Sequence, residues 1–215
     1  MKNNQKFLVA LILLFTFYLL FLVGRYWYAD TLYNKGKIAN TGEKPEMGAD
    51  YLQNAIKISP REPLYHNEIA KSYVLTGNAE SALSESQKAI DLSPANVNLK
   101  RSRFSYLIMF AADDPAHLIP AGEVLTSAIS QAPTDAKLYY NLGLVYARTG
   151  SIDEAISILE KTIELKANYR DARLALAYLL IDKGEKLQAK EHLEYVLQYI
   201  DPNDSLAQQA LESVK

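Results

Sequence analysis

Residues Leu138–Leu165 read LYYNLGLVYARTGSIDEAISILEKTIEL. Small residues recur in this segment at fixed steps: Gly143, Gly150 and Ala155 stand among Tyr139, Tyr146 and Leu159. Glycine inside a helix costs about 1 kcal/mol relative to alanine, so a glycine at 143 needs a reason. Close approach of a second helix supplies one, because a bulky side chain there would wedge the pair apart. Gly150 has a different reason: it ends the first helix, where a left-handed backbone is easiest for glycine.

The same pattern recurs along the chain. GNAESALSESQKAIDLSP starts at Gly77, GSIDEAISILEKTIEL at Gly150 and GEKLQAKEHLEYVLQYIDP at Gly184. Tyr73, Tyr146 and Leu180 each stand four residues before such a glycine, and Ala82, Ala155 and Ala189 five after it. Gly150 and Gly184 are 34 residues apart. Period, spacing and residue type together resemble the tetratricopeptide repeat (TPR), with 136–169 the best unit. One departure is Ala167, where the family usually has proline; Pro60, Pro94 and Pro133 conform.

The resemblance implies an all-α fold, a right-handed TPR superhelix of stacked antiparallel helix pairs, because one pair cannot bury its apolar face alone. The expected units are 29–62, 63–96, 97–135, 136–169 and 170–203, with a capping helix over 204–215. The first unit is degenerate, with a loop NTGEKPE and a second helix GADYLQNAIKIS. The third carries five extra residues, placed in FAADDPAHLIPAGE between its helices, with Pro115 and Pro120 marking breaks.

Ahead of the repeats, residues 1–28 are a different material. Phe7–Val23, FLVALILLFTFYLLFLV, has no charge over 17 residues. As a helix it spans about 26 Å, close to a hydrocarbon core of roughly 30 Å. It is apolar on every face, which fits lipid better than a soluble core. Arg25, Tyr26, Trp27 and Tyr28 follow and suit a headgroup region. A signal-peptide cleavage site needs small residues that the segment after Val23 does not supply. The reading is therefore one uncleaved transmembrane anchor. Lys2 and Lys6 before it nearly balance Arg25, Lys35 and Lys37 after it. The short basic start favours a cytoplasmic amino terminus, which would put the repeats in a periplasm or at a cell surface.

Chemistry is sparse. There is no cysteine, the net charge is −2 and no basic stripe is interleaved with aromatics, so a nucleic-acid footprint is not expected. The three histidines are scattered. His66 occupies the slot of Tyr139 and is read as packing, His192 is expected to project into solvent, and His117 falls in the insertion. No pair has metal-ligand spacing. No phosphate loop, nucleotide fingerprint or nucleophile motif is present. Neither an enzyme, a metal nor a cofactor is expected.

TPR arrays bind proteins or peptides on a concave face lined by first helices. Helical period places Asn67 and Lys71 there, then Arg101 and Ser105, then Lys137, Tyr140, Asn141, Leu144 and Arg148, then Leu174 and Tyr178. Such a surface suits a segment with an acidic part and an apolar part. A carboxylate clamp for acidic tails is not matched: of Asn67, Lys71, Ser102, Lys137 and Asn141, only Lys137 carries the expected group. The leading function is a membrane-tethered scaffold that holds a protein partner. The alternatives are an accessory of envelope polysaccharide assembly, since O-antigen ligase-like proteins look similar in joining a membrane helix to TPR units, and a self-associating structural protein.

Overall fold

A computed structural model describes residues 3–214, with side chains from Lys6 onward; Met1, Lys2 and Lys215 lie outside the described residues. Every regular element among them is helical. The chain forms two compact units, residues 1–99 and 100–215.

In the first unit, α1 runs without interruption from Asn3 to Thr41. From Lys6 to Phe21 it is exposed throughout, and none of its most apolar window is buried. From Ala29 the same helix becomes a packing element: Ala29, Leu32 and Ala39 are buried. It pairs with α2 (Pro45–Ile58), which begins earlier than GADYLQNAIKIS because Pro45 initiates the helix at its first turn. A second pair follows, α3 (Pro63–Leu75) and α4 (Ala79–Leu92). Asn40 joins α1 to α3 through a buried network. It donates to Glu68 Oε1 at 2.9 Å and accepts from the Ser72 hydroxyl at 2.9 Å. Helix α5 (Val97–Phe110) starts in this unit and continues into the next.

In the second unit, α5 leads through a 3₁₀ turn at Pro115–His117 to α6 (Leu118–Ile129). Pro115 opens that turn, but Pro120 does not mark a break. It sits inside the first turn of α6, where its missing N–H costs no helical hydrogen bond. The pairs α7 (Ala136–Thr149) with α8 (Ile152–Leu165) and α9 (Arg170–Asp182) with α10 (Lys186–Tyr195) follow. A π turn over Val196–Ile200 connects α10 toward α11 (Ser205–Ser213).

The repeated glycines behave as the spacing predicts. A Cβ on Gly143 would lie 2.9 Å from Leu159 Cγ, so α7 and α8 need that hydrogen. Gly77, Gly150 and Gly184 all have positive φ, between 74° and 83°. The residue after each one donates back to the carbonyl of Tyr73, Tyr146 or Leu180, at 2.8–2.9 Å. The recurring four-residue step is thus the geometry of a helix terminator in which the N–H after the glycine reaches back to the last turn.

Candidate functional site

The turns that precede four of the helices share a device that residue-type matching does not reveal. His66 Nε2 lies 3.0 Å from the Pro60 carbonyl, and the Tyr139 hydroxyl donates to the Pro133 carbonyl at 3.1 Å. Arg173 Nε donates to the Ala167 carbonyl at 2.7 Å, and Gln208 Nε2 to the Pro202 carbonyl at 3.1 Å. Four different side chains satisfy the carbonyl six residues earlier, at the end of the previous pair. Arg173 thereby holds the one turn of the four that lacks proline, at Ala167.

A second tie works at the repeat period. Arg101 on α5 binds Asp135, and Arg170 on α9 binds Asp204. Each aspartate is also the cap of the next helix. Asp135 accepts from the Lys137 N–H at 3.0 Å, and Asp204 from the N–H groups of Leu206 and Ala207 at 3.1 and 3.0 Å. The hydrogen bond from Arg170 holds the Asp204 carboxyl below its usual range against the opposing effect of burial.

These ties reassign part of the expected binding face. Arg101 is committed to Asp135 and is an assembly residue. Leu174 is buried in the α9–α10 core at 5% exposure, because α11 and the π turn pack over that end of the unit. His192 does not project into solvent. Its Nδ1 lies 3.2 Å from Arg173 Nη1, and burial together with the Arg173 charge pushes its pKa down. The Arg173 guanidinium lies 3.4 Å from the centre of the Tyr195 ring.

Other expected residues keep an accessible side. In the first unit, Asn67 and Lys71 are half-buried on α3, with Lys71 Nζ 3.8 Å from Glu68. In the second, Lys137 and Tyr178 are exposed, and Tyr140 and Asn141 are half-buried. Tyr140 packs against Tyr169 with ring centres 5.0 Å apart, and burial raises its pKa first, then the Asp171 charge. Arg148 is exposed and donates to the Ala111 carbonyl at 3.3 Å, tying α7 to the segment that follows α5. Within the second unit, Lys137, Tyr140, Asn141 and Tyr178 thus keep polar and aromatic groups accessible.

Two clefts have no counterpart in the repeat pattern. One, of about 760 Å³, opens over α6 and α7 and is lined by Ile119, Gly122, Thr126, Val145 and Tyr146 among others. Its sequence signal is the small Gly122 beside an Ile119 left 68% exposed. The other lies between α1 and the α2–α3 turn, against Leu22, Arg25 and Tyr26. Among the described residues, no group of three or more His, Asp or Glu side chains is placed to hold a metal ion.

The family model for the tetratricopeptide repeat matches residues 136–169. The human protein O-mannosyl-transferase TMTC3 is 26% identical over 168 residues, 77% of this chain; the chain spans 18% of that protein's length. Among solved structures, MamA residues 41–end from Desulfovibrio magneticus RS-1 superposes with a TM-score of 0.68 at 21% identity, over 83% of this chain and 98% of that one. YrrB, a TPR protein with an unusual peptide-binding site, does so with a TM-score of 0.67 at 19% identity, over 84% and 90%. One helix pair of this chain, residues 136–169, is thus a tetratricopeptide repeat, and the fold that the chain shares with solved TPR proteins extends over most of its length.

Proposed function

We propose that the protein is a membrane-anchored adaptor that holds a segment of another protein on the first helices of its repeats. The observation that carries this reading is the continuity of α1: an exposed apolar helix passes into the first packed repeat helix without a linker. A hinge-free stem would keep the repeats at the membrane surface and raise their effective concentration toward membrane-associated partners. The binding segment would meet Lys137, Asn141, Tyr140 and Tyr178, which offer one cation, one amide and two aromatic faces. That suits an extended peptide with an acidic end and an apolar end. The solved protein YrrB, of the same fold, has a peptide-binding site. Lys2 and Lys6 ahead of the apolar run motivate the reading that the repeats lie outside the cytoplasm.

Two measurements test this reading. The full chain should resist carbonate extraction from membranes, and L13R/F17R, which puts two charges in the apolar run, should release it. Photo-crosslinking residues introduced at Tyr140 and Tyr178 should give a discrete partner adduct that one at Leu187 does not. Equal labelling from all three positions would remove the assignment of this face, and protease protection on intact cells would overturn the sidedness.

A further inference from the structure

The smaller cleft sits where α1 changes from an exposed apolar rod to a packed repeat helix. Leu22, Arg25 and Tyr26 of α1 form one wall; Ser59, Arg61 and Glu62 of the α2–α3 turn form the other. Its volume is about 180 Å³, below the roughly 300 Å³ at which pockets for drug-sized molecules begin. Arg25 Nη2 donates to the Ile58 carbonyl at 2.6 Å. That bond orients the guanidinium and leaves it further N–H donors, since a guanidinium carries five. Arg61 is exposed on the facing turn.

Ser59 is the second, independent observation. It is 4% exposed, it lines the cleft, and its hydroxyl has no hydrogen-bond partner among the described residues. A buried hydroxyl left unsatisfied is unfavourable, so its position points to a group that the folded chain does not itself provide. Two guanidinium groups and a hydroxyl form the donor set of a phosphate site, since arginine matches phosphate geometry bidentately. The single carboxylate in the lining, Glu62, opposes a dianion more than a monoanion. A phosphodiester is therefore favoured over free phosphate, which carries close to two charges at neutral pH.

Position along α1 selects the source. Arg25 follows the apolar run Phe7–Val23 by two residues, about 3 Å along the helix axis. Trp27, 71% exposed, and Tyr26 stand beside it, as in a headgroup belt. We propose that this cleft binds the phosphate of an anionic phospholipid, with Arg25 and Arg61 clasping its oxygens, Ser59 donating to one of them, and Leu22 against the start of the acyl chains. The proposal rests on the reading of α1 as a membrane span. Bound lipid would bridge α1 to the α2–α3 turn and fix the first repeat at the bilayer surface.

The test uses the full chain in neutral detergent, titrated in separate arms with phosphatidylglycerol, phosphatidylcholine and inorganic phosphate. Trp27, the only tryptophan of the sequence, is the reporter, and native mass spectrometry counts retained lipid. Phosphatidylglycerol is expected to bind saturably and about tenfold more tightly than phosphatidylcholine, with R61Q losing most of that preference. S59A is expected to weaken binding a few-fold. R61Q changes an exposed side chain, so it reads the site even if R25Q, which breaks the bond to Ile58, perturbs the fold. Saturation by inorganic phosphate as tight as by phosphatidylglycerol would overturn the lipid assignment and make the free ion the ligand of the same donors. Equal binding of the two lipids, or R61Q and S59A binding as the parent does, would overturn the proposal. Carbonate extraction separates this failure from that of the anchor: a chain that stays in membranes yet shows no anionic preference has an anchor and no site.

Discussion

The pair α1–α2 and the pair α7–α8 solve one packing problem with different residues. Aligned on their helix ends, Gly36 answers to Gly143, Leu52 to Leu159 and Gly48 to Ala155. A Cβ on Gly36 would lie 2.5 Å from Leu52 Cγ, and one on Gly143 would lie 2.9 Å from Leu159 Cγ. A Cβ on Gly48 would lie 2.3 Å from Asn40 Oδ1, so the network that joins α1 to α3 also needs a glycine. The terminator differs. Where α7 ends on Gly150, α1 ends through Glu43, which takes φ 58°, the only positive φ at a non-glycine residue among those described. The Lys44 N–H still reaches back to the Ala39 carbonyl at 3.0 Å, as Ser151 does to Tyr146 at 2.9 Å. The first pair therefore looks degenerate only by residue type. Its close contact is tighter than that of the family-matched pair, and its turn keeps the geometry with a less suitable residue.

The largest effect that sharpens this comparison comes from the knobs. Leu52 and Leu159 are both fully buried, so L52A and L159A should each cost about 2–5 kcal/mol through lost burial and a residual cavity. Hydrogen–deuterium exchange of the full chain in detergent, read helix by helix, should show faster exchange in α1–α2 for the first and in α7–α8 for the second. If L52A leaves α1–α2 unchanged, the equivalence of the two pairs is broken.

Next come the holes. G36A should destabilise its pair by about 1–3 kcal/mol, because Leu52 and the Gly48 carbonyl, 3.1 Å from the new Cβ, both resist displacement. G143A should cost less, since its clash is smaller; the gain of about 1 kcal/mol in helix propensity is common to both. The same exchange measurement ranks them, and a reversed ranking would mean that α1 shifts more readily than α7.

Smaller changes lie at the terminators. E43G should stabilise the first pair by about 1 kcal/mol, and G150A should destabilise the fourth by about the same. Nothing lies within 4 Å of a Cβ on Gly150, so the second effect isolates backbone conformation from packing. Thermal melts of the two variants should move in opposite directions.

The smallest effect is a pH dependence confined to one of the equivalent turn-capping slots. His66 Nδ1 lies 2.6 Å from Glu85, and that hydrogen bond raises the His66 pKa despite burial. Burial alone would raise the Glu85 carboxyl, yet the hydrogen bonds from His66 and Lys88 outweigh it and hold it low. A raised histidine stabilises fully below its unfolded value of about 6.5 and loses that contribution as pH rises through its native value. The lowered carboxyl contributes fully above its ordinary 4.5 and is lost as pH falls through its native value. The α3–α4 pair should therefore weaken as pH rises above about 6.5 and through the raised native value of His66. H66Y installs the residue of the equivalent slot in α7 and should flatten that slope, measured as exchange rates across pH after correction for intrinsic exchange.

Much of this architecture is legible in the residues themselves. The glycine terminators, the tight contact at Gly143 and the all-helical repeat follow from period and residue type, because a left-handed turn and a close helix crossing admit few side chains. The apolar run Phe7–Val23 is legible as well: it lies in a helix that is long and apolar enough to cross a membrane by length and composition. The capping contacts to Pro60, Pro133, Ala167 and Pro202 are not, because histidine, tyrosine, arginine and glutamine share no type, only a position and a reach. The commitments of Arg101 to Asp135 and of His192 to Arg173 are also hidden, since they join residues distant in sequence. Sequence alone determined which local conformations and which faces were possible. The tertiary structure decided which charges hold repeats together and which stay accessible, because that depends on what each side chain finds within about 3 Å in space.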